Sequence, residues 1–110
     1  LVGSEMCIRD RYRTGNLLIN MDSNIIQKGK EKIFIPKASF TIISTLMDVP
    51  HKTVSRSALV FYLEQAYHHE ILDNTLTVHI ASIRRLLGDE YIKTHKTVGY
   101  FWDFDVFKVG

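Results

Sequence analysis

Hydrophobic positions change their period twice along the chain. Residues 16–35, "NLLINMDSNIIQKGKEKIFI", hold three short apolar runs rich in Ile, parted by "MDS" and "KGK". Asp-Ser and Lys-Gly-Lys are turn chemistry, so this segment predicts a small antiparallel meander. From Pro36 the period lengthens, with Phe40, Ile43, Leu46 and Met47 recurring three and four apart as on a helix. Proline suits a first helical turn, where its missing N–H costs nothing. The local run "TIIST" is β-branched and favours a strand. Length and the proline start outweigh it and predict a helix. "DVPHKTVS" breaks that helix, and Ser55 is placed to cap a second, with Leu59, Leu63 and Ala66 or Tyr67 inward. "YHHEILD" reads as a connecting loop. Asp73 or Asn74 is placed to cap a third helix that stops at Gly88, a residue suited to helix ends. "EYIKTHKTVGYFW" is dense in strand formers and predicts two strands about a turn between Lys96 and Gly99. The order predicts an α+β fold: an N-terminal antiparallel meander, three helices and a C-terminal β-hairpin.

The third helix, "NTLTVHIASIRRLL" (residues 74–87), has an unusual outer face. On a wheel of about 100° per residue, Leu76, Ile80, Ile83 and Leu87 share one narrow arc, the core face. Opposite them fall Asn74, Thr75, Val78, Ala81, Ser82 and Arg85. A solvated helix normally carries long charged side chains there. Two readings fit: the small residues face out by chance or under a neighbouring element, or a large rigid partner must come close. The major groove of B-DNA, about 12 Å wide, admits a helix. Val78 and Ala81 suit thymine methyls, Asn74 suits adenine, and Arg85 suits guanine or a phosphate.

Composition changes this picture little. With 45% hydrophobic and 24% charged residues, the 110-residue chain is an ordinary one-domain globular sequence. No apolar run approaches the length that crosses a bilayer, and no basic-then-apolar secretory signal opens the chain. A single cysteine, Cys7, excludes an internal disulfide framework and fits a reducing, cytoplasmic compartment. The formal charge of +2 permits nucleic acid without demanding it. Residues 1–13, "LVGSEMCIRDRYR", show neither period and hold the only Cys. The string "VGSEMCIRDR" resembles the translated read-through of a sequencing adapter; a disordered natural linker is the alternative. On either reading the gene is expected to begin further upstream. The segment is set aside as a leader, with the domain at 14–105 and a tail at 106–110. Without the leader, 11 basic side chains face 10 acidic ones.

Other constellations carry less. His69 and Asp73 are four apart in "HHEILD", but no second ligand pair has metal-site spacing, so no metal is expected. No activated nucleophile and no Gly-rich phosphate loop is present, so neither catalysis nor a cofactor is expected. Phe101, Trp102, Phe104 and Phe107 suit a stacking platform for single strands or, preferably, a hairpin core.

The pattern "TVHIASIRRLLGDEYIKTHKTVGYFW" resembles the winged helix-turn-helix effector domain of OmpR/PhoB-type response regulators, two-component transcription regulators. The matching residues are Thr75, Val78, His79, Ile80, Arg84, Leu87, Gly88, Ile92, Thr94, Gly99 and Tyr100. Upstream, "PKASFTIISTL" resembles the family's first helix at Pro36, Lys37, Phe40 and Leu46, and "TVSRSALV" its second at Val54, Ser55, Arg56 and Leu59. The resemblance spans residues 16–104 and implies a four-strand meander ahead of the helices. It also implies roles. Positions matching Asn74, Val78, Ala81 and Ser82 face bases or nearby phosphates. Those matching His79, Arg84, Arg85 and Thr94 mainly contact the DNA backbone, and Lys96 of the hairpin wing enters or borders the minor groove. The loop 67–73 lies where relatives contact RNA polymerase.

Departures from the family pattern weaken the expected grip. Relatives usually carry basic residues where this chain has Asn74, Ala81 and Ser82, and Arg-Gly where it has Lys96-Thr97. Lysine lacks the planar fork of arginine, and threonine resists the positive φ that glycine permits. Ile35 replaces a common Thr cap, and Ala58 an acidic capping-box partner. Each lost phosphate contact flattens salt dependence by a slope of about 0.9. The expectation is a double-stranded-DNA-binding regulator that needs tandem binding of two copies on repeated half-sites. The alternative is a winged-helix interaction module that has lost DNA binding.

Overall fold

In the computed structural model, which describes residues 11–109 apart from Asp22 and His69, the alternating N-terminal segment folds as four short strands. These are β1 (Arg11–Thr14), β2 (Leu17–Asn20), β3 (Ile25–Lys28) and β4 (Glu31–Phe34), paired antiparallel in sequence order. The cross-strand row Ile19, Ile26 and Ile33 is buried, while their chain neighbours Leu18, Gln27 and Lys32 point to the other, more exposed face. Gly15 and Gly29 take positive φ in two of the hairpin turns, which is why "KGK" reads correctly as a turn.

Two features of this sheet depart from the sequence pattern. Arg11, Tyr12 and Arg13, grouped with the leader, form most of β1. Within the segment grouped as a tail, Phe107–Val109 form β8, which pairs antiparallel with β1 (Arg13 opposite Phe107) and completes the order β4-β3-β2-β1-β8. A three-residue strand whose partner lies at the other end of the chain leaves no local periodic signal.

The chain divides into two units, one holding this sheet with the segment from Phe104, the other Lys37–Asp103. The second unit contains α1 (Lys37–Met47), β5 (Val54–Ser55), α2 (Arg56–Tyr67), α3 (Asp73–Leu87), β6 (Ile92–His95) and β7 (Gly99–Trp102). The β-branched run of α1 is helical because its hydroxyls find partners within the helix. Thr41 Oγ1 donates to the Lys37 carbonyl (3.0 Å), and Thr45 Oγ1 to that of Thr41 (2.8 Å). Ile42 and Ile43 are meanwhile fully buried. Helix α2 starts as expected: Ser55 is extended and its Oγ accepts from the Ala58 N–H (3.1 Å). Leu59 and Leu63 are buried, whereas Ala66 and Tyr67 are only half-buried.

The N-cap of helix α3 lies one residue before Asp73 and two before Asn74, the expected caps. Leu72 occupies the N-cap, its carbonyl accepts from the Thr75 N–H (3.0 Å), and no side-chain cap bond forms among the described residues. Asn74 is therefore inside the first turn, too late to cap. Leu76, Ile80, Ile83 and Leu87 are all buried, so the core arc is as the wheel drew it. Helix α3 packs on α1 and α2, and α1 also packs on β7. Strands β6 and β7 form the hairpin, and β5 joins it as a short third strand in the order β5-β7-β6. At the hairpin's base Trp102 is buried with its ring 5.5 Å from that of Tyr91. Trp102 is thus core, but Phe104 and Phe107 lie outside the hairpin in the other unit.

Candidate nucleic-acid interface

Helix α3 and the hairpin belong to one unit, so the sequence-predicted positions can be placed against one another. Asn74, Val78, Ala81 and Arg85 are exposed on α3, and Thr75, His79 and Ser82 are half-buried beside them. Val78 leaves 64% of its surface exposed, a large apolar exposure at the middle of the helix. No Lys and only one Arg stand on this outer face, so among its exposed positions, Asn74, Val78 and Ala81, no long charged side chain precedes Arg85. Both Arg84 and Arg85 lie in the last turn, where a cation complements the helix dipole.

Arg84 differs from the other predicted contacts. Its Nε and Nη2 donate to the Ile92 carbonyl (3.1 and 2.9 Å), and Nη2 also to Thr94 Oγ1 (2.8 Å). The side chain ties the end of α3 to the first wing strand and is half-buried there. Thr94, an exposed predicted contact, is joined to α3 through that bond. Lys96 is exposed in the wing turn, next to Thr97 at φ +66°. Threonine does hold the left-handed conformation that a glycine would take without strain. The turn closes with the Val98 N–H on the His95 carbonyl (2.9 Å).

Three residues outside the predicted set complete the arrangement. Arg56, the first residue of α2, donates from Nη1 to the Tyr100 hydroxyl (2.7 Å) and from Nη2 to Thr77 Oγ1 on α3 (2.8 Å). No periodicity could reveal this: Arg56 is 21 residues from Thr77 and 44 from Tyr100. The pair His69 and Asp73, set aside above as a metal site, cannot be placed, since His69 lies outside the described residues. Among the described residues no group of three or more His, Cys, Asp or Glu could hold a metal ion. None of their helices is long and apolar enough to cross a membrane.

This architecture has close counterparts. The "DNA binding domain of E. coli CadC" superposes with a TM-score of 0.81 at 18% identity, covering 90% of this chain and 96% of that one. The AdeR response regulator DNA-binding domain, solved in complex with an intercistronic region, superposes at 0.70 with 24% identity over 81% of this chain and 95% of its own. At those identities the likeness shows the fold. In sequence, the response regulator protein GraR of Staphylococcus aureus (strain Mu50) is 30% identical over 89 residues, 76% of this chain. The chain spans 38% of the length of that relative. Residues 29–102, from the third meander turn to the end of β7, match the family described as "Transcriptional regulatory protein, C terminal". A match over that length, on a winged helix built as this one is, means that the chain belongs to this family of OmpR/PhoB-type DNA-binding effector domains of transcription regulators.

Proposed function

We propose that the chain recognises duplex DNA by laying α3 in the major groove while the β6–β7 wing reaches the adjacent minor groove or backbone. One observation carries this reading: the exposed face of α3 is kept short, with Asn74, Val78 and Ala81 open to solvent and no long side chain to hold off a groove wall. Asn74, Val78, Ala81 and Ser82 are assigned to bases and nearby phosphates, with Thr75, His79 and Arg85 at the edges of the groove. Lys96 is assigned to the minor groove or its border. Thr94 is assigned to the backbone, with Arg84 behind it as the side chain that joins it to α3. The DNA complex of the AdeR domain, which shares the fold, supports the mode.

Full occupancy of an operator is proposed to need two copies in tandem on a direct repeat, because each copy offers few phosphate contacts. Within the intact protein the loop 67–73 is proposed to face RNA polymerase, in the cytoplasm. A second reading, a protein-interaction module without DNA binding, is favoured by one feature: Arg84 donates within the chain, and Ala81 and Ser82 bring no charge. Selection from a randomised duplex pool at low salt, followed by anisotropy titration, separates the two. Enrichment of a direct repeat, lost when Arg85 and Lys96 are changed to Glu, is the expected result. Absence of enrichment even for an artificially dimerised domain would leave the interaction module standing.

A further inference from the structure

Tyr100 is the point where α2, α3 and the wing meet. Its cross-strand partners are Val54 on β5 and Thr94 on β6, so the three side chains share one face of the small sheet. The ring is only 7% exposed. Two guanidinium groups lie against it, with Arg56 Cζ 5.7 Å and Arg84 Cζ 5.8 Å from the ring centroid, both within cation–π reach. Each arginine also grips α3 to the wing. Arg56 links Tyr100 Oη to Thr77, and Arg84 links its own helix turn to Ile92 O and Thr94 Oγ1. Thr77 and Arg84 are seven residues apart, two turns along one stripe of α3. The recognition helix is therefore fastened to the wing at two points, with one aromatic ring between them.

We propose that Arg56, Tyr100 and Arg84 are positioning residues that fix the angle between α3 and the wing, so that operator discrimination depends on side chains that read no base. The proposal rests on the duplex-reading function above. Two grooves are read together only if helix and wing arrive in one register. A loose wing would have to be ordered on binding, which costs affinity for the operator. Random duplex, held by charge alone, makes no such demand on geometry. The arrangement also turns Arg84 from a phosphate ligand, as family resemblance implies, into a strut.

Tyr100→Phe keeps the ring beneath both guanidiniums and removes only the acceptor of Arg56. Arg56→Met removes the bridge to Thr77 as well. Two measurements are made on each variant: residual dipolar couplings of the 92–102 amides against those of α3 in the free protein, and affinities for the selected operator and a random duplex. In the wild type the wing and helix share one alignment tensor. In both variants the wing is expected to separate from it. Operator affinity is expected to fall about fivefold, the equivalent of about 1 kcal/mol, with random-duplex affinity unchanged. A wing that keeps the helix's tensor in both variants would overturn the proposal, as would equal losses on operator and random DNA. If the wild type selects no operator, the duplex-reading function fails, and the couplings alone decide whether the clamp exists.

Discussion

Gly99 sits where the wing passes closest to β5. A Cβ built there would lie 2.0 Å from the Val54 carbonyl oxygen, 2.8 Å from its carbon and 2.9 Å from Ser55 Cα. All three are backbone atoms and cannot swing away, so a methyl group must push the β5–β7 pair apart. Gly99→Ala is expected to cost about 2–3 kcal/mol, lowering Tm by roughly 10 °C or more; a thermal melt followed by circular dichroism checks it, and an unchanged midpoint would mean β5 contributes nothing. Two residues earlier the strain runs the other way. Thr97 carries a β-branched side chain at φ +66°, so Thr97→Gly should raise stability by about 0.5–1 kcal/mol, the gain from φ partly offset by glycine's larger unfolded-state entropy. Denaturant midpoints at constant m-value would show it. The sequence made the Thr97 strain legible, because a wing turn with Lys-Thr in place of Arg-Gly needs a positive φ from the wrong residue. Gly99 was legible only as a turn glycine; its true constraint is a strand from a distant segment.

At the scale of elements, what was readable tracks how far each element's partners lie along the chain. Helix α3 was plain from periodicity, since four buried residues on one arc suffice to set its face. Helix α1 was readable despite "TIIST", because hydroxyl bonds to the preceding turn remove the conflict between propensity and fold. Strands β5 and β8 were not, being two and three residues long and defined by partners far along the chain: Val54 pairs with Tyr100, 46 residues on, and Phe107 with Arg13, 94 residues back. The cap of α3 was expected one or two residues too late, and that error exposes a lever. Leu72 sits at the N-cap in extended conformation, 74% exposed, where its side chain can satisfy no N–H. Leu72→Asp supplies an acceptor and a negative charge at the positive end of the dipole, and should stabilise by about 0.5–1 kcal/mol. Conversely, Ser55→Ala removes the cap of α2 and should cost about 1 kcal/mol. Urea unfolding of the two variants side by side would check both signs, and a stable Ser55→Ala would show that α2 starts without help.

For the whole molecule the controlling quantity is how few cations are left to face DNA. The chain carries a formal charge of only +2. Arg56 and Arg84 both donate within the chain, to Tyr100 and Thr77 and to Ile92 and Thr94. On the outer face of α3 that leaves Arg85, with Lys96 in the wing turn. Sequence comparison already marked Ala81 and Ser82 as missing cations; the diversion of Arg84 into the wing could only come from the structure. The domain should therefore bind with shallow salt dependence, and restoring charge should steepen it predictably. Ala81→Arg and Ser82→Arg each add one candidate phosphate contact from an outer position on α3. Each is expected to strengthen duplex binding at low salt and to steepen log K against log[salt] by about 0.9, additively in the double variant. Anisotropy titrations over a series of salt concentrations measure that slope directly. A slope unmoved by either arginine would mean that this face of α3 does not meet the DNA backbone, and would count against the groove-reading function itself.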